Sequence, residues 1–181
     1  MVFAYTAANI ANLESSHSPE RLGPYYALAG GDKELGLKLY AWNSALSQTL
    51  YTPLQGLEVA LRNALGGQLL AAGRIVAELN WGFWTGILAK RYEPLWRSHF
   101  RKAFNATGPL TRDQIFQPLD DLRRLRNRIA HHEPIINRNI AADYASILNL
   151  ISYISPTTAQ WIDDQSEIAA VIAAKPLVAI P

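Results

Sequence analysis

The chain has 181 residues, 49% hydrophobic and 18% charged, with a formal net charge of +2. That length suits one well-buried core and falls short of two typical domains, and the apolar fraction excludes the disordered class. So small a net charge excludes a whole-protein field as the source of nucleic-acid affinity, and the lack of cysteine excludes disulfides and thiolate metal sites.

In chain order, residues 1–17 read as an N-terminal extension of loose order. Ser18-Pro19-Glu20 then supplies a cap, a first-turn proline and an acidic first turn, opening a short helix toward Tyr26. Gly30-Gly31 breaks it and Asp32 caps the next helix, along which Leu35, Leu39, Trp42, Leu46 and Leu50 recur at helical spacing. Pro53 predicts the start of a further helix, with Leu54, Leu57, Leu61, Leu65 and Leu69 in one stripe and an end near Gly73. In the aromatic-rich stretch that follows, Trp81, Phe83, Trp84 and Trp96 are expected in the core, and Gly82 and Gly86 let a neighbouring backbone approach. Thr111-Arg112-Asp113-Gln114 has the form of a capping box. It opens a helix carrying Ile115, Leu119, Leu122, Leu125 and Ile129. Residues 139–154 and 157–174 supply the last two helices, parted by Pro156. No run alternates apolar and polar residues long enough to argue for a sheet. The expectation is an all-α, single-domain helical bundle over residues 1–181.

Chemistry concentrates in Leu122-Arg123-Arg124-Leu125-Arg126-Asn127-Arg128-Ile129-Ala130-His131-His132-Glu133-Pro134. Arginine grips phosphate oxygens with a planar fork. Histidine is the side chain whose ordinary pKa suits proton transfer near neutral pH. At about 100° per residue, Arg126 falls in the sector of Ile115, Leu119, Leu122 and Ile129, where a guanidinium needs a partner. Asn127 and His131 share another face, with Arg124 nearby. Pro134 disfavours helix at Glu133, which predicts a turn around His131–Glu133 that frees the imidazoles.

A second helix places Glu58 and Arg62 four apart on the flank of its leucine stripe. Two readings stay open. They form an intrahelical ion pair, or Glu58 orients Arg126 or a histidine across the bundle while Arg62 widens a phosphate-binding groove. The adjacent side chains of His131, His132 and Glu133 point about 100° apart on a helix, a poor arrangement for chelating one ion. No metal is assigned on that ground. His17 and His99 read as ordinary polar positions. There is no phosphate-cradling glycine loop, no glycine-flanked serine and no thiol, so no cofactor is assigned and those enzyme classes have no support. The N-terminus lacks the basic and apolar segments of a signal peptide, and apolar stretches are interrupted before membrane-span length. A cytoplasmic protein without membrane contact is therefore expected.

Five stretches in order carry a family resemblance. They are Tyr26-Ala27-Leu28-Ala29-Gly30-Gly31-Asp32, Leu39-Tyr40-Ala41-Trp42-Asn43, Leu57-Glu58-Val59-Ala60-Leu61-Arg62-Asn63, Ala77-Glu78-Leu79-Asn80-Trp81-Gly82-Phe83-Trp84 and Leu125 through Ile135. Together they resemble the Abi-like proteins of bacterial abortive-infection (phage-defence) systems, a branch of the HEPN superfamily of small helical proteins. Arg126-Asn127, three residues, then His131 is similar to that superfamily's signature. The chain departs from the family pattern between residues 64 and 76, where a shorter connection would alter a groove wall or the dimer geometry.

The resemblance implies a metal-independent ribonuclease acting at a homodimer interface. Arg126, Asn127 and His131 would be catalytic. Glu58, Arg62, Asn63, Arg124, Arg128, His132 and Glu133 would bind RNA or support the site. A cognate antitoxin or a phage-derived trigger is the further partner it suggests. Two rivals stand beside this expectation: a non-catalytic RNA- or partner-binding module, and a structural role in which Arg126 pairs with Glu58 and the histidines cap a helix end.

Overall fold

The computed structural model describes residues 3–68, 79–106 and 108–177, and every regular element among them is a helix. Helix α1 spans Ala7–His17 and α2 spans Pro19–Leu28. Within the N-terminal extension, Ala7–His17 is thus helical. The Thr6 hydroxyl accepts from the Asn9 N–H, Glu14 pairs with Lys33 at 2.8 Å, and the His17 ring meets the Tyr40 ring edge-on. These are local caps and surface ties that an apolar pattern does not reveal, since α1 buries no residue fully.

Helix α2 closes on Gly30 and Gly31, both with positive φ, and the Asp32 carboxylate caps α3 by accepting from Leu35 N–H. Helix α3, Lys33–Gln68, is 36 residues long and contains Pro53. The break expected there does not occur. Pro53 offers no N–H to the carbonyl four residues earlier, yet the buried stripe Leu39, Trp42, Leu46, Leu50 continues in phase as Leu54, Leu57, Leu61, Leu65. Each such side chain is worth about 1.5–3 kcal/mol when fully buried, so burial on both sides outweighs a cost of about 3 kcal/mol for one internal proline. Leu69 and the helix end expected near Gly73 lie outside the described residues.

Helices α4 (Trp81–Gly86) and α5 (Glu93–Ser98) follow, with single 3-10 turns at Lys90–Tyr92 and Phe100–Ala103. Trp81, Trp84 and Trp96 are buried as expected, whereas Phe83 lies on the exposed side of α4, edge-on to Trp84. Helix α6, Arg112–Ala130, begins at the predicted capping box: Thr111 and Gln114 satisfy each other's backbone N–H groups. Helix α7 spans Ile140–Ile154. The single helix expected over 157–174 is two, α8 (Pro156–Asp164) and α9 (Ile168–Ala173), with a turn at Gln165 between them.

The long α3 is the axis of the bundle. Helices α2, α7 and α9 pack along it, α6 lies against α4 and α7, and their apolar faces join in one core cluster. Among the described residues, no helix is long and apolar enough to cross a membrane.

Candidate functional site

Helix α6 buries Arg112, Ile115, Leu119, Leu122 and Leu125. Burial then stops. Arg126 is exposed and Ile129 only half-buried, so the guanidinium expected within the apolar sector sits at its open end. The reason is positional: Leu125 and Ile129 on either side still meet the core, but Arg126 faces a cleft that the neighbouring helices leave open.

The end of α6 is closed by backbone atoms. His131 is the C-cap, His132 takes a left-handed conformation with φ of +56°, and Glu133 N–H donates to Arg128 C=O at 2.8 Å while His132 N–H donates to Ile129 C=O at 3.0 Å. That pair of bonds is a Schellman closure. Neighbours brace it. Arg21 of α2 donates to the His132 carbonyl at 3.0 Å, and Arg128 donates to the Pro134 carbonyl at 2.7 Å. Ile135 N–H donates to the buried Asn43 side-chain oxygen at 2.7 Å. The predicted turn at His131–Glu133 is therefore present and tied to both α2 and α3.

The side chains divide into committed and uncommitted. Arg123 and Arg124 both pair with Asp120, and Arg124 also reaches Asp121 at 3.3 Å. Arg128 faces Glu133 at 3.7 Å. Among the described residues, Arg126 alone of the α6 arginines has no ion pair and no hydrogen bond. The side chains of Asn127, His131 and His132 likewise make no hydrogen bond to described residues, and both imidazoles are exposed. The turn is held by main-chain bonds and by the Arg21, Arg128 and Asn43 side chains, and neither imidazole takes part in closing it. Arg126 and His131 are five residues apart and project roughly 140° from one another about the helix axis.

Arg126 shares a cleft with Glu58. Both line a cleft of about 120 Å³ between α3 and α6, together with Tyr51, Leu54, Gln55, Trp81, Ile129 and Ala130. Glu58 forms no ion pair or hydrogen bond with any described residue, and the two charges share the cleft without touching. Arg62 and Asn63 lie further along α3; Asn63 lines a separate groove with Val59 and Trp161. His131, Asn127 and Arg124 do not line the Glu58–Arg126 cleft. Among the described residues, no three His, Asp or Glu side chains come close enough to hold a metal ion.

Two structural residues escaped the reading of the sequence. Asn43 lies in phase with Leu39, Leu46 and Leu50 and is 4% exposed; a polar residue on an apolar stripe was the available signal. Arg112 is in phase with Ile115 and Leu119 and equally buried, bonded to Glu93, Asp113 and the Leu88 carbonyl. No family model matches the chain, and neither a curated protein nor a solved structure matches it.

Proposed function

We propose that this protein is a metal-independent RNA endonuclease of the Abi-like, HEPN type, acting in a bacterial phage-defence or toxin–antitoxin setting. The observation that carries the proposal is the uncommitted state of Arg126, Asn127 and His131 at the end of a helix whose other arginines are engaged. The sequence resemblance described above points the same way. The nucleophile is the substrate's own 2′-hydroxyl: its oxygen bonds to phosphorus, the P–O5′ bond breaks, and a 2′,3′-cyclic phosphate and a free 5′-hydroxyl result. His131 takes the proton from the 2′-hydroxyl or gives one to the departing oxygen. Arg126 stabilises charge developing on the phosphoryl oxygens, and Asn127 holds the phosphate or the imidazole. Because Arg126 and His131 diverge on one helix, the working site takes the Arg of one protomer and the His of a two-fold partner.

Purified protein incubated with total RNA in EDTA tests this directly. Cleavage of RNA but not of DNA is expected, since DNA lacks the attacking hydroxyl, with no cleavage by His131→Ala. Mixing inactive Arg126→Ala and His131→Ala chains should restore part of the activity through mixed dimers. Equal cutting of an all-deoxy substrate would sink the mechanism, and a fully active monomer would rule out the shared site.

A further inference from the structure

The cleft that joins Glu58 to Arg126 has a chemistry of its own. Its walls are Tyr51, Leu54 and Gln55 of α3, Trp81 of α4 and Ile129 of α6. Two opposite charges line it, yet they lie beyond ion-pair distance of each other. The Trp81 indole N–H is buried with no acceptor among the described residues, although Trp81 is 3% exposed. Tyr51, an aromatic ring 63% exposed, stands at the rim. The volume, about 120 Å³, approaches the ~150 Å³ cavity that accepts a benzene ring. It suits the edge of one planar ring system and is too small for a peptide helix.

An occupant must bring a planar apolar body, adjacent N–H donors for the Glu58 carboxylate, and negative charge within reach of Arg126. Among RNA constituents, guanine presents N1–H and the N2 amine side by side, a two-donor edge that matches two carboxylate oxygens. Adenine and cytosine present only an exocyclic amine, and uracil a single N–H. The phosphate attached to the same nucleoside supplies the charge for Arg126. We infer that the Glu58–Arg126 cleft is a guanine subsite: Glu58 accepts from the Watson–Crick edge of a base turned out of the strand, and Arg126 holds the adjoining phosphate. The inference rests on the nuclease reading and deepens it, because the base selected in the cleft sets which phosphodiester meets Arg126. Unstacked single-stranded bases are the usual targets of sequence-specific RNA recognition.

The test uses short 2′-O-methyl oligonucleotides, which lack the attacking hydroxyl, with a single central guanine, inosine, adenine or uracil. Affinity is read by fluorescence anisotropy. The wild-type protein should bind the guanine oligonucleotide about tenfold more tightly than the inosine one, which lacks the N2 amine, and should discriminate further against adenine and uracil. Glu58→Gln, of nearly the same size, should erase the guanine–inosine difference while binding through phosphate persists. Equal affinity of the wild-type chain for all four oligonucleotides overturns the subsite, and that measurement needs no variant to fold. If Glu58→Gln keeps the base preference and shifts the oligomeric state in light scattering, the carboxylate serves a guanidinium of a second copy and the inference fails. Turnover plays no part in these readings. Guanine preference without cleavage of ordinary RNA would keep the subsite and remove the nuclease; cleavage without preference would do the reverse.

Discussion

The two ends of α6 begin from similar residues and reach opposite conditions. At the N-terminal end, Arg112 is 4% exposed and its guanidinium is engaged by Glu93, Asp113 and the Leu88 carbonyl, directly beside a complete capping box. At the C-terminal end, Arg126 is exposed and without a described partner, and the turn beyond it is held by main-chain bonds and neighbouring side chains while the imidazoles of His131 and His132 stay open to solvent. Both arginines fall in phase with the same apolar stripe. What separates them is what stands opposite. Arg112 meets a carboxylate and a buried carbonyl from the α4–α5 region, whereas Arg126 meets a cleft. One end of the helix has its guanidinium buried and partnered, and the other leaves its guanidinium and imidazoles open.

The largest effects are expected at the open end and on activity. His131→Ala should lower RNA cleavage by about 10²–10⁴-fold, the usual worth of a positioned acid or base, with little change in RNA affinity. Arg126→Lys keeps the charge but loses the fork, so turnover should fall more than binding. Single-turnover cleavage and anisotropy on uncleavable RNA separate the two quantities. A variant that cuts at the wild-type rate removes its residue from the mechanism.

Stability should show the reverse ordering. Arg112→Ala strips the Leu88 carbonyl of its donor and opens space in the core, a loss of about 2–4 kcal/mol. In a chain of this size each kcal/mol moves the melting temperature by about 2–4 °C. Arg126→Ala should stay within about 0.5 kcal/mol of wild type. Thermal melts of the two variants side by side break the comparison if they fall equally.

This contrast also marks what a single sequence discloses. Signals acting within a few residues were legible: the Thr111–Gln114 capping box, the Ser18-Pro19 start, the Gly30-Gly31 stop and the turn imposed by Pro134 all took the form their side chains dictate. Where packing on another element decides, the pattern misled. Pro53 reads locally as a helix start, but an in-phase stripe on both sides carries α3 through it. Phase placed Arg126 in the apolar sector because phase cannot say where neighbouring helices leave a cleft. That Glu58 orients Arg126 or a histidine across the bundle was one of two open readings; the crossing of α3 and α6 brings Glu58 and Arg126 to one cleft without a contact between them. Asn43, which fastens the segment after the histidine turn, could be seen as a polar interruption of a stripe but not matched to Ile135, 92 residues away.

The support beneath the open end has its own pH signature. Burial raises the Tyr25 phenol to about 12, with Tyr40 adding to the shift and Arg21 and Arg128, the arginines that brace the turn, opposing it. A raised folded-state value for an acid that ionises to an anion means the folded protein holds its proton longer than the unfolded chain. Stability is therefore lost as pH rises from the ordinary phenol value near 10 toward 12. Tyr25→Phe keeps the ring and removes the proton, so its denaturation midpoint should fall less over that alkaline window. At neutral pH it should match or slightly exceed wild type, because the Tyr25 hydroxyl is buried without a partner among the described residues. Urea titrations at about pH 8 and about pH 11 check both statements. Parallel curves for the two proteins would sever Tyr25 from the alkaline loss.

The smallest effect concerns His132, and the chain supplies its own control. Helix α2 ends in the same closure as α6: Gly31 N–H donates to Tyr26 C=O at 2.8 Å and Gly30 N–H to Ala27 C=O at 3.2 Å, with Gly30 at φ of +64°. The equivalent position in α6 is His132, at φ of +56°. Left-handed backbone costs an L-residue roughly 1–2 kcal/mol, a cost glycine escapes, although glycine also loosens the unfolded chain by about 0.4–1 kcal/mol. His132→Gly should therefore change stability by no more than about 1 kcal/mol, toward greater stability. His132→Val, branched at Cβ, should lower it by about 1–2 kcal/mol. If stability alone shaped this position, His132→Gly would leave RNA cleavage intact. If the exposed imidazole serves the site beside His131, the same substitution should raise the melting temperature and lower turnover together, and that opposite movement would separate a working role at the open end of α6 from a structural one.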